Sequence, residues 1–247
     1  STNVKASNLA TGLSGKVGES KNLIINGAMQ VAQRGTSSTT SGFGSVDRFQ
    51  CLFSGTDEAQ THAQVALTSS DTGPWEKGFR NAYKITNGNQ SSGAGTDDYT
   101  RLDYRIEGRD IAQSGWNYTS SSSYITLSYW AKSSVAQTFY TRLKSQGGTA
   151  QGYATAMTFS STNTWTKFTH KIPGGSSVAF NNDNGESFRV MFILFRGTDK
   201  TDNSFTLDQW ANYNSSIRTK DMTSTWYTTN DATFEITGVQ LEVGDTA

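Results

Sequence analysis

Of its 247 residues the chain spends one on cysteine and two on proline. A lone Cys51 cannot close an internal disulfide, and the alternating Phe49 and Phe53 around it in "DRFQCLF" make it an inert buried thiol. So little proline leaves no Pro-rich linker, and no internal repeat divides the chain. An excess of one charge is missing as well. The 21 basic and 21 acidic residues form no block of either sign, which excludes the electrostatic footprint of a partner such as duplex nucleic acid or an anionic membrane. No apolar run approaches the ~18 residues of a membrane span, and nothing near the start reads as a secretory segment. A soluble protein, neither inserted in a membrane nor exported by a signal in this chain, is expected.

Catalytic signatures are equally scarce. The sequence has no G-x-S-x-G, no Walker loop, no H-E-x-x-H and no C-x-x-C. "GFGSVD" supplies Gly42 and Gly44 without the third glycine of a dinucleotide site. His62 and His170 fall inside strand patterns and are too few for a metal trio. Asp97, Asp98, Asp103, Glu107 and Asp110 crowd one region, and a glycosidase needs only two carboxylates. Their alternation with Arg101, Arg105 and Arg109 points instead to solvated pairing. "FNNDNGES" would place Phe180 at the first ligand position of a calcium loop, and "TDKTDNSFTLD" lacks the loop glycine. The expectation is a protein that is not an enzyme.

What is present is 24 glycines, much Ser, Thr and Asn, and an aromatic content of 12% against an apolar total of 34%. A core built from few but large side chains favours sheets over helices. In "YTRLDYRIEG", Leu102, Tyr104 and Ile106 face one way and charged residues the other, the pattern of a half-buried antiparallel strand. "SYITLSYWAKS" repeats it, with Trp130 on the face opposite Ile125, Leu127, Tyr129 and Ala131. Further strands are expected in "DRFQCLF", "HAQVALT", "FRNAYKI", "QTFYTRLK" and "WTKFTHKI". "SFRVMFILFRG" has no polar face and should be a central strand covered on both sides. Helix is limited to a turn or two around "GRDIAQSG" and "LDQWANY".

In "ATFEITGVQLEVGD" the apolar register slips between Ile236 and Val239, so a β-bulge is predicted near Thr237 and Gly238. About ten strands at this spacing give an all-β, two-sheet antiparallel sandwich or jelly roll over residues 22–247. Residues 1–21 read as an extended attachment arm, with Val4, Leu9, Leu13 and Val17 available to dock on a neighbour.

Aromatic residues in polar stretches are the binding candidates: Trp75, Trp116, Tyr118, Tyr153, Trp210, Tyr213, Trp226 and Tyr227. A flat ring beside amides and hydroxyls is a surface on which a sugar ring stacks. The competing reading is that such rings plug the ends of the sandwich or lie in subunit contacts.

The segments "NLIINGAMQVAQRGTS", "GSVDRF", "SYITLSYWAKSS" and "WYTTNDATFEITGVQLEVGDTA" together resemble bacteriophage virion proteins of the tail-fibre type, especially those of marine and cyanobacterial phages. More distantly, "NLIINGAMQ", "ITLSYWAK" and "FEITGVQLE" are similar to the opening, middle and last strands of jelly-roll carbohydrate-binding modules with the galactose-binding-like fold. The resemblance implies a first strand at residues 23–25 lying near the last, with Asn26 and Gly27 as its turn. It implies no cofactor beyond a structural calcium, which would fall at Gln30 and Glu242. By this resemblance the chain is a virion protein assembled in the host cytoplasm, a displayed fibre module, oligomeric as a trimer. Its partners would be other virion proteins and a host-surface glycan. The alternatives are a capsid decoration or cement protein that binds no sugar and, less favoured, a glycan-degrading enzyme using the residues between Asp97 and Asp110.

Overall fold

The computed structural model describes residues 22–247. The expected arm, with Val4, Leu9, Leu13 and Val17, lies outside the described residues. Twelve strands follow one another: β1 (Ser37–Ser38), β2 (Phe49–Ser54), β3 (Thr61–Ala66), β4 (Asn81–Thr86), β5 (Tyr99–Glu107), β6 (Tyr124–Ser133), β7 (Thr138–Ser145), β8 (Gln151–Thr158), β9 (Thr166–Pro173), β10 (Glu186–Arg196), β11 (Ala211–Asn212) and β12 (Thr233–Val243). They form two six-stranded antiparallel sheets, ordered β1-β3-β4-β12-β6-β9 and β11-β8-β7-β10-β5-β2.

The pairing is nested. β7 pairs with β8, β6 with β9, β5 with β10 and β4 with β12. This is one long antiparallel ribbon rolled so that successive pairs alternate between the sheets, which is the jelly-roll winding.

Alternation along each strand sets the core. Leu102, Tyr104 and Ile106 of β5 point inward with Val190, Phe192 and Leu194 of β10, all buried. Rings interlock across the two layers: Tyr129 of β6 meets Phe192 edge-on at 4.9 Å, and Phe139 of β7 meets Phe234 of β12 at 5.7 Å. Such edge-to-face pairs add about 0.5–1.5 kcal/mol each beyond the area they bury. Cys51 is fully buried among them, and burial pushes its thiol pKa far up, so it is inert. β10 is central and covered on both faces, because Met191 and Ile193 on its outer side pack with Tyr140, Leu207 and Met222.

The register slip falls where the parity change requires it. β12 shifts against β6 between Thr237 and Gln240, and Gly238 takes φ 62°, where a Cβ would sit 2.6 Å from the Phe79 ring. The opening stretch does lie along the last strand. Leu23 N–H donates to the Leu241 carbonyl at 2.9 Å, and Val239 N–H donates to the Gly27 carbonyl at 3.0 Å. It is not a strand, however, because Asn26 adopts φ 62° and the chain turns at once over residues 25–28. A Cβ at Gly27 would lie 2.0 Å from the Val239 oxygen, so only glycine allows this approach.

Two further differences concern local structure. "LDQWANY" holds bends and β11 instead of helix; the α-helical turns among the described residues are Gly108–Ala112, where one was expected, and Thr225–Thr228, with 3-10 turns at Trp75–Lys77 and Thr198–Lys200. β8 was not expected, because Gly152, Ala154 and Ala156 on its outer face give it a weak strand signature.

Candidate functional site

Burial divides the eight aromatic candidates. Trp116, Tyr153, Trp226 and Tyr227 are no more than 3% exposed. Trp116 packs against Phe180 and Phe188 and donates Nε1–H to the Ser123 carbonyl. Trp226 meets Phe139 edge-on and donates Nε1–H to the Thr233 carbonyl, while Tyr227 stacks on Phe195 at 4.3 Å. Tyr153 lies in β8, not in a loop, with Trp210 against it at 5.3 Å. These four rings plug the sandwich and offer no face to a sugar, which corrects the expectation for them.

The other four are half-buried. Trp75 is covered by the Arg80 guanidinium at 3.8 Å, Tyr118 abuts Phe180 at 4.9 Å, and Trp210 donates Nε1–H to the Pro173 carbonyl. Tyr213 alone among the eight is ringed by cations, with Lys144 4.3 Å, Arg142 4.8 Å and Arg218 6.0 Å from its centroid.

The acidic cluster does not converge. The Asp103 side chain is fully buried and paired with Arg101 at 3.0 Å and Arg189 at 3.5 Å. Asp98 accepts from the Tyr227 hydroxyl at one end of β5, while Glu107 closes the other end. At about 3.3 Å per residue these last two are on the order of 30 Å apart, beyond any glycosidase pair. Among the described residues no group of three or more His, Cys, Asp or Glu could hold a metal ion. Gln30 is exposed and Glu242 half-buried, and together they supply two of the about six to eight oxygens a calcium ion takes.

The outer face of the β2-containing sheet has a different character. Strand parity brings Arg101, Arg142, Lys144, Arg189 and Arg196 to this side, and the bulge between Ile193 and Phe195 turns Phe195 into the core and Arg196 outward. Glu186 and Asp103 answer Arg105, Arg189 and Arg101. No ion pair reaches Arg142 or Arg196 among the described residues, although they are only 3% and 4% exposed, and the Nε of each lacks a hydrogen-bond partner. Burial, Arg218 and Arg101 push Arg142 down to about 10 and Arg196 to about 9, although Tyr213 opposes the shift in both. A guanidinium stays protonated at neutral pH even so, and the displacement reflects first the cost of burying the charge and then the like charges around it, which Tyr213 offsets only in part. An uncompensated buried charge costs several kcal/mol.

Over this face lies the long segment between β10 and β12, residues 197–232. Leu207 and Met222 clamp it on the sheet, Asp208 N–H donates to the Ala154 carbonyl, and β11 pairs with β8. Beneath it opens a cleft of about 220 Å³. Its floor is Arg142 and Gly152, where a Cβ would meet Arg142 Nη2 at 2.9 Å, so the glycine leaves space for the guanidinium. Its wall carries the amides of Gln209, Asn212 and Asn214, the hydroxyls of Ser204 and Thr206, and the Phe205 ring. Tyr213 stands beside it; burial pushes its phenol up, but Arg218, Arg142 and Lys144 outweigh that and hold it below its usual value. Amides, hydroxyls, one ring and one cation in a cleft are what a saccharide needs to be oriented.

The sequence flagged "QWANYNSS" for its rings, and its amides line the cleft. Arg142, Arg196, Arg218 and Gly152 were missed. An outward strand position normally means exposure, and the one signal available was the length of the stretch after β10, well past an ordinary loop.

No family model matches the chain, and no curated protein matches it. Solved structures resemble it distantly. The enzymatically active domain of tailspike protein 4 from bacteriophage CBA120 is 12% identical with a TM-score of 0.47, covering 90% of this chain and 21% of that one. This chain thus spans about a fifth of the tailspike's length. A putative sugar binding protein from Bacteroides thetaiotaomicron is 13% identical with a TM-score of 0.46, covering 91% and 100%. A family 11 carbohydrate-binding module from Clostridium thermocellum, in complex with a mixed-linked tetrasaccharide, is 13% identical with a TM-score of 0.37, covering 83% and 95%. At these scores nothing about ligand or assembly transfers to this chain.

Proposed function

We propose that the chain is a non-enzymatic bacteriophage virion component, a fibre or appendage module displayed as a trimer, whose jelly roll contacts glycans on the host surface. The glycan part is carried by the cleft above Arg142 and Gly152, where Gln209, Asn212 and Asn214 present amides beside the Phe205 ring. The virion part is supported by the likeness of the opening, middle and closing segments to tail-fibre proteins. One shallow cleft gives weak affinity, and display in several copies multiplies it. Calcium enters no part of this reading.

A glycan array probed with the intact chain, followed by the double variant Gln209→Ala/Asn214→Ala, tests it. Both positions are exposed, so folding is unaffected, and two lost hydrogen bonds lower affinity about tenfold or more. Absence of binding to every glycan, or binding untouched by the variant, overturns the glycan part. Imaging that finds no copy of the protein on intact particles overturns the virion part.

The cement reading is favoured by one observation. Ile25, Val31 and Phe43 are 52%, 42% and 44% exposed on the opening stretch that follows residues 1–21. A shell address in the same images, with particles that fall apart when residues 1–21 are deleted, selects it.

A further inference from the structure

Resting on the glycan reading of the same cleft, we infer that its ligand carries a compact oxyanion, a carboxylate or a sulfate on the sugar, and that Arg142 receives it. The charge balance of the sheet face leads there. Asp103 and Glu186 are consumed by Arg101, Arg105 and Arg189. Arg142 keeps its charge on the cleft floor with no carboxylate paired to it among the described residues, 3% exposed, its Nε unpartnered and only the Tyr213 hydroxyl accepting from the guanidinium, with Lys144, Arg196 and Arg218 adding charge of the same sign.

A fold gains nothing from burying such a charge alone, since the same strand position could hold a methionine at lower cost. It gains if an anion completes the site, because a charge-assisted bond to a guanidinium is short, directional and strengthened by exclusion of water. Tyr213 suits the arrangement. Its ring lies 4.8 Å from Arg142 and 6.0 Å from Arg218, and its hydroxyl oxygen accepts a hydrogen bond from the Arg142 guanidinium, which fixes that side chain and leaves the phenol proton to donate to the ligand. Gly152 suits it too, by leaving the guanidinium room to lie flat on the floor of the cleft. The amides on the wall then read the neutral hydroxyls of the same sugar.

Calorimetric titration of the full chain with oligogalacturonate, a sulfated galactan oligosaccharide, their methyl-esterified or desulfated counterparts, and inorganic sulfate tests the inference. The acidic oligosaccharides bind about tenfold or more tightly than their neutral counterparts, and the preference shrinks as salt rises. Which acidic oligosaccharide wins tells carboxylate from sulfate. Arg142→Gln removes the preference while the melting temperature holds or rises, a combination that a purely structural arginine does not give. Should that variant fail to fold, Gly152→Ala decides: it crowds the guanidinium, keeps every charge and weakens the acidic ligands severalfold, and acidic-ligand affinity untouched by it overturns the inference.

Equal affinity for acidic and neutral sugars overturns the inference and leaves the glycan reading standing. Binding of sulfate that depends on Arg142, with no saccharide bound, keeps the anion site and overturns the glycan reading. Binding of neither overturns both.

Discussion

Two buried polar clusters, one in each sheet, follow opposite rules. Around His62 of β3 the ring is satisfied on both sides: Nε2–H donates to the Thr40 carbonyl at 2.9 Å, and Nδ1 accepts from the Tyr83 hydroxyl at 2.8 Å, while the Ser45 hydroxyl, also 2.8 Å from Nδ1, donates to the Tyr83 oxygen. A carbonyl can only accept, which fixes the tautomer. Nearby, the Asn87 amide caps the carbonyls of Trp226 and Tyr227 while its oxygen accepts from Gln60 Nε2, and the neutral Gln60 Oε1 alone in this cluster is left without a partner. Around Arg142 and Arg196 the count is left open, with like charges crowded and donors unpartnered. A neutral, nearly saturated cluster holds a fold together; one of uncompensated charge at the same depth lowers stability and is worth keeping only for what binds it.

The comparison can be broken in four places. On the saturated side, Trp226→Ala removes a fully buried ring that both Asn87 and Gln137 hold by its backbone, and costs about 3–5 kcal/mol in urea unfolding. His62→Ala leaves the Tyr83 hydroxyl without its acceptor and a ring-sized gap beside it, and costs about 2–4 kcal/mol by the same measurement. A smaller loss would mean water heals the gap.

The pH dependence comes next. Burial lowers His62 and takes His170 down to about 4, so both stay neutral in the folded chain. Below the ordinary imidazole value of 6.5 the unfolded chain takes up protons that the folded one refuses, and stability therefore falls as pH drops from 6.5 toward 4. The share of His170 is about 3 kcal/mol, and His170→Gln flattens that part of the curve. The smallest effect has the other sign: Arg142→Met stabilises the ligand-free protein by about 1 kcal/mol. Destabilisation by Arg142→Met would erase the difference between the clusters.

Strands were legible wherever alternation was strong. β5 and β6 show it residue by residue, and the parity slip at Gly238 marks the bulge in the sequence alone. β8 was hidden because Gly152, Ala154 and Ala156 carry no strand preference of their own and are held in place by β7 and β11. The rings were read with half success. "STWYTTND" is polar in sequence, yet Trp226 and Tyr227 turn inward on a helical turn, since residue type tells how much area a side chain can bury and not whether the chain around it bends toward the core.

By itself the sequence determined the all-β class, the inert thiol, the central β10 and the bulge, because each depends on the period of neighbouring side chains along one strand. Only the tertiary structure decided the site. Arg142, Arg196 and Arg218 belong to separate strands and a long covering segment, and whether a charge is paired depends on what lies across the sheet and above it, distances that a linear pattern does not encode.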